Sequence, residues 1–146
     1  MIKKTVVFKG WYKYTPGEKF IDGTDVNNIV EVKDRIDECA IQAVLYKVDT
    51  DDEVLTGFDI NTSEKRVAVA ALSDKTAKVD YTYFEIPFEF LKDYEEGAKY
   101  KLAIVCSSSK EGDLFKGAGG STLILDELEV MGECKPPIKY PLSLYL

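Results

Sequence analysis

The chain has 146 residues, 19 of them basic and 26 acidic, for a formal charge of −7. That length suits one domain with a proper core and hardly two, and the negative balance makes a poor nucleic-acid binder, since phosphate contacts need clustered Lys and Arg. There is no histidine, which excludes a Ser-His-Asp triad, a Cys-His pair, a His-ligated zinc and an imidazole proton shuttle.

Period-two runs of apolar residues dominate, as expected of strands half-buried in a sheet. Residues 5–14 alternate, with Val6, Phe8, Gly10, Tyr12 and Tyr14 on an apolar face. Thr5, Val7, Lys9, Trp11 and Lys13 form a mixed face, which puts Trp11 between two lysines on the wetter side. Pro16-Gly17 and Asp22-Gly23 mark turns, and residues 18–28 read as loop. Residues 29–32 suit a short strand. In residues 39–48, Cys39, Ile41, Ala43 and Leu45 share a face; residues 49–53 form an acidic turn and 55–65 are irregular. Residues 66–72 are rich in Val and Ala and fit a buried strand.

Residues 79–90 alternate most clearly. Thr82, Phe84, Ile86, Phe88 and Phe90 face one way, and Tyr81, Tyr83, Glu85, Pro87 and Glu89 the other. Pro87 lacks an amide hydrogen, so this strand borders an edge or bends there. Residues 99–107 point Tyr100, Leu102, Ile104 and Cys106 inward, and residues 107–121 are polar and glycine-rich. In the last strand, 121–131, the phase slips. Leu123 and Leu125 share one parity, Leu128 and Val130 the other. Both pairs reach one core only if an extra residue intervenes near Asp126 and Glu127, which predicts a β-bulge. About six or seven strands with no repeating strand–helix unit predict an all-β fold, an antiparallel β-sandwich over residues 1–132. The tail, 133–146, carries Pro136, Pro137 and Pro141 and ends in apolar residues; it is expected to pack on the domain or on another chain.

No apolar run reaches the 18 residues of a membrane span. The N-terminus imitates a signal peptide only over residues 5–8, too short for a cleavable one, so in an exported protein the signal would already be gone. Three cysteines is an odd number. Cys39 and Cys106 lie on apolar strand phases and read as buried free thiols; one disulfide among Cys39, Cys106 and Cys134 stays open for an oxidising compartment.

Three segments together carry a resemblance. They are Gly10-Trp11-Tyr12-Lys13-Tyr14-Thr15-Pro16-Gly17, then Phe84-Glu85-Ile86-Pro87-Phe88, then Ser107-Ser108-Ser109-Lys110-Glu111-Gly112-Asp113 running on to Gly119-Gly120-Ser121-Thr122-Leu123-Ile124-Leu125-Asp126-Glu127-Leu128-Glu129-Val130. In order and spacing they resemble the "putative carbohydrate metabolism domain" family of outer-surface and periplasmic lipoproteins from glycan-utilising Gram-negative gut bacteria. The resemblance implies a jelly-roll sandwich like galactose-binding and carbohydrate-binding modules. It implies an exported protein at the outer-membrane surface or in the periplasm, with a lipid anchor in the full-length protein. It also implies that Asp126, where related sugar-binding jelly rolls ligate a structural calcium, is a candidate metal ligand; no other cofactor is expected. Family members usually carry further strands before the first segment, so the expectation is either a short variant or first strands outside this chain. An incomplete sandwich would expose sheet edges and favour a homodimer.

The ligand expected is a carbohydrate. Sugars present C–H faces that stack on aromatic rings, so Trp11 leads, with Lys13, Tyr81 and Tyr83 around it. Ser109, Lys110 and Asp113 offer hydroxyl, ammonium and carboxylate groups in one loop. Each has a plainer alternative: Trp11 packed under a loop, the tyrosines as ordinary cross-strand pairs, the serines capping a hairpin. The leading expectation is a non-catalytic glycan-binding module. The second is a structural or self-associating interaction module. Glycoside hydrolysis ranks third, because it needs only two carboxylates but no local motif selects a pair.

Overall fold

The computed structural model describes residues 6–74, 76–132 and, as backbone, 142–145. In chain order the strands are β1 (Val6–Thr15), β2 (Phe20–Asp22), β3 (Val30–Glu31), β4 (Ala40–Val48), β5 (Arg66–Ala71), β6 (Lys78–Pro87), β7 (Glu89–Phe90), β8 (Lys99–Ser107), β9 (Lys116–Ala118), β10 (Thr122–Gly132) and β11 (Leu142–Tyr145). The only helical turn among the described residues is a 3-10 turn at Gly112–Leu114. A three-stranded sheet has the order β10-β1-β6, a five-stranded sheet β11-β8-β4-β5-β7, and a small third sheet β3-β2-β9. All pairs are antiparallel except β11, which runs parallel to β8 from Leu142 beside Leu102 to Tyr145 beside Val105. Residues 133–141, and Cys134 with them, lie outside the described residues.

The three- and five-stranded sheets face each other as a sandwich. Phe8, Tyr12 and Tyr14 of β1 and Phe84 of β6 meet Ile41, Ala43 and Leu45 of β4 and Tyr100, Leu102, Ile104 and Cys106 of β8. Alternation in β1 and β8 therefore does what period two requires, sending every second residue into one core. Phe8 and Tyr12 both pack edge-on to Phe84, with ring centroids 5.2 and 5.9 Å apart. That is the geometry the ring quadrupole favours.

The predicted bulge is present. Lys9 pairs with Glu129 but Trp11 pairs with Asp126, so the register shifts between them. Glu127 takes the left-handed conformation there, with φ of 50°. The extra residue lets Leu123 and Leu125 on one side, and Leu128 and Val130 on the other, all pack on the same core. Gly10 faces this site, where a Cβ would lie 2.8 Å from Leu128 Cδ2. A glycine is what gives Leu128 its room.

Three local expectations change. Residues 18–28 are not all loop: they contain β2, which pairs with β9 from the glycine-rich segment 107–121. Each strand is three residues long, and their pairing joins distant parts of the chain, so local composition carries no trace of it. Phe90 is exposed and does not share the inward face of Phe84. The chain leaves the three-stranded sheet after Pro87, and β7 pairs with β5 in the other sheet, so the phase restarts. Finally, β4 is buried on both faces. Val44, Tyr46 and Val48 pack with Ala103 under Leu55 and Ile60, so the irregular segment folds back to form a second, smaller core.

Candidate functional site

The outer face of the three-stranded sheet carries the side chains that β1 and β6 turn away from the core. Trp11 stands directly across from Tyr83 of β6 and Asp126 of β10. Trp11 is 39% exposed and Tyr83 45%. Their ring centroids are 5.2 Å apart and the rings are tilted by 56°, so the pair forms an open wedge. Two residues along, the Lys13 ammonium lies 4.5 Å from the centroid of the Tyr81 ring, a cation–π contact. On the other side of the wedge Lys9 stands between Glu129 and Glu85, with its Nζ 3.6 Å from Glu129. The Tyr83 hydroxyl donates to Glu85 Oε1 at 3.3 Å. Desolvation, and then the Glu85 charge, hold this phenol above its usual range.

Ser109, Lys110 and Asp113 form a separate group. The Tyr14 phenol points to the core side of β1 and donates to the carbonyl of Ser108 at 2.8 Å, whereas Trp11 projects from the opposite side. The centre of the loop group is Asp37, which is 2% exposed. Its Oδ2 accepts from Ser109 Oγ at 2.6 Å, Ser121 Oγ at 2.7 Å and the Ala118 amide at 3.0 Å. Its Oδ1 accepts from the Glu38 amide at 2.9 Å. Ser121 Oγ in turn accepts from the Gly17 amide at 2.9 Å. A Cβ on Gly117 would sit 2.9 Å from Ser109 Oγ, and one on Gly17 2.3 Å from the Gly119 carbonyl. The Ser-rich and Gly-rich segments are thus spent on holding loops around one buried carboxylate. Lys110 lines a cavity of about 200 Å³ with Phe20, Arg35, Ile36 and Glu38, and Asp113 is exposed in the 3-10 turn.

Asp37 is the residue the sequence pattern did not single out. Its signal is parity: it shares the phase of Cys39, Ile41 and Ala43, an acid three residues ahead of β4.

Asp126 is exposed on the outer face. Among the described residues no three His, Cys, Asp or Glu groups gather as a cation would need. The acidic turn at 49–53 already has its cation. Lys101 is buried and donates to the carbonyls of Asp51 at 2.5 Å and Glu53 at 2.7 Å, while Lys99 pairs with Asp51 at 3.1 Å and Lys65 with Glu53.

These features define an all-β sandwich domain with an open aromatic face on one sheet and a tied loop group beside it. The chain belongs to the putative carbohydrate metabolism domain family, which it matches over residues 1–131. Two crystal structures are similar to it. One, of a "putative glycoside hydrolase" from Bacteroides thetaiotaomicron, is 35% identical with a TM-score of 0.77, covering 90% of this chain and 39% of that one. The other, of a "putative glycoside hydrolase" from Bacteroides vulgatus, is 30% identical with a TM-score of 0.72, covering 88% of this chain and 52% of that one. The chain therefore spans about two-fifths to one-half of the proteins it resembles. No curated protein matches it.

Proposed function

We infer that the domain is a non-catalytic carbohydrate-binding module of an exported glycan-utilisation protein. The observation that carries this is the exposed Trp11–Tyr83 wedge, flanked by Asp126 and Lys13 on an otherwise open sheet face. A sugar ring laid on the indole finds a carboxylate, an ammonium and a phenol hydroxyl within the same surface, which is the mixture of apolar face and polar rim that a pyranose itself presents. The family and the two similar structures support a carbohydrate-related role.

Trp11 is the chain's one tryptophan, so its fluorescence reports on this site alone. Neutral sugars should shift that emission saturably, and Trp11→Ala, followed by calorimetry, should weaken binding at least about tenfold. A panel of glycans that leaves the emission of the wild-type protein unchanged would remove the basis of the proposal.

One observation favours a second reading, an interaction module. The same face exposes Ile124 and Met131 on either side of the aromatic pair, and exposed apolar and aromatic residues can mark a protein interface. Light scattering decides between them: a dimer that Trp11→Glu dissociates supports the interaction module, and a monomer that binds glycan supports the first.

A further inference from the structure

We propose that the ligand is an uncharged glycan chain lying along the strands, with a second sugar unit bound by the Lys9–Glu85–Glu129 row next to the Trp11–Tyr83 wedge. The proposal rests on the carbohydrate-binding reading of this face and adds a subsite and a ligand class to it.

Shape comes first. The face is three strands wide, about 10 Å, but from Val7 to Lys13 it runs about 20 Å along β1. One pyranose on Trp11 leaves most of that length uncovered. A chain continuing across the strands would leave the sheet after one unit; a chain continuing along them stays on it. The next row in one direction is Lys13, its ammonium over the Tyr81 ring at 4.5 Å, beside Ile124. In the other direction it is Lys9, with Glu129 and Glu85 as cross-strand neighbours. Only the second offers three charged groups side by side. Their oxygens and ammonium hydrogens can accept from and donate to sugar hydroxyls, and the Lys9–Glu129 contact of 3.6 Å is loose enough to be shared with a ligand.

Charge then decides the class. Around the wedge stand three carboxylates, Glu85, Asp126 and Glu129, against two ammonium groups, Lys9 and Lys13, on a chain of charge −7. That field disfavours uronic-acid or sulfated chains.

The experiment titrates the full chain, followed by Trp11 fluorescence and calorimetry. Its probes are glucose, galactose, mannose and xylose, the linear tetrasaccharide of each, and tetragalacturonate as the charged probe. The expected result is a neutral tetrasaccharide bound about tenfold or more tighter than its monosaccharide, with that gain lost in Glu85→Ala and in Lys9→Ala. Tetragalacturonate should bind more weakly than galactotetraose. Equal binding of the two lengths, a gain that survives both substitutions, or tighter binding of tetragalacturonate overturns the proposal and leaves the wedge as a one-sugar site. The first and last comparisons use the wild-type protein and so do not depend on either variant folding. Silence of Trp11 toward every probe overturns the binding reading itself.

Discussion

At the residue scale, Asp37 shows how a buried charge is made tolerable. A carboxylate out of water is costly unless hydrogen bonds replace its hydration. Here four donors do so, two amides and two serine hydroxyls. Three of these bonds tie Asp37 to residues 109–121, more than seventy positions away in sequence. Asp37→Ala leaves those donors facing a void and should cost about 3 kcal/mol in urea or thermal unfolding. Asp37→Asn, which keeps an acceptor but adds a competing donor, should fall between. A loss under about 1 kcal/mol for the alanine variant would show that the loops are held by other means. The wedge residues behave differently. Trp11 and Tyr83 are exposed, so their substitution should alter binding and leave stability nearly unchanged.

At the scale of the element, β10 depends on one extra residue. The bulge rotates the second half of the strand so that Leu128 and Val130 return to the core face. Its conformational cost falls on Glu127, at φ of 50°, where a β-branched side chain is strained and glycine is not. Glu127→Val should therefore lower stability by more than about 1 kcal/mol, while Glu127→Gly should be neutral or slightly stabilising. Equal effects from the two would mean that the left-handed conformation is not held in solution. The bulge also determines the site: on one side of it Trp11 stands opposite Asp126, and on the other Lys9 stands opposite Glu129. Without the shift, the register that pairs Lys9 with Glu129 would put Glu127 opposite Trp11 and turn Leu125 outward opposite Lys13.

At the scale of the whole molecule, the two sheets enclose tyrosines as well as aliphatic residues. Burial pushes the phenols of Tyr12 and Tyr14 up from 10 to about 12. Between those values the unfolded chain releases both protons and the folded chain keeps them. The stability they support is thus intact below pH 10 and falls as pH rises toward 12. The melting temperature should decline through that window, with the tyrosinate absorbance of these two buried phenols appearing only on unfolding. A melting temperature constant up to pH 12 would contradict this. Cys39 and Cys106 lie in the same core, where burial pushes both thiols up to about 11, as suits inert packing residues.

What the sequence by itself determined is the parity-governed part of the fold. Period two assigned the core faces of β1, β4 and β8 and even the bulge, because each side chain's direction follows from its place in the strand. The same parity put Trp11, Tyr81 and Tyr83 outside. The tertiary structure alone decided the rest. It paired β2 with β9 and moved Phe90 to the other sheet. It laid Leu55 and Ile60 over the second face of β4, and it gathered Ser109, Ala118 and Ser121 around Asp37. These are contacts between distant segments, and alternation within one strand says nothing of which strand lies beside it. Nor could parity alone show that Trp11 meets Tyr83 and Asp126, since that depends on the register between three strands.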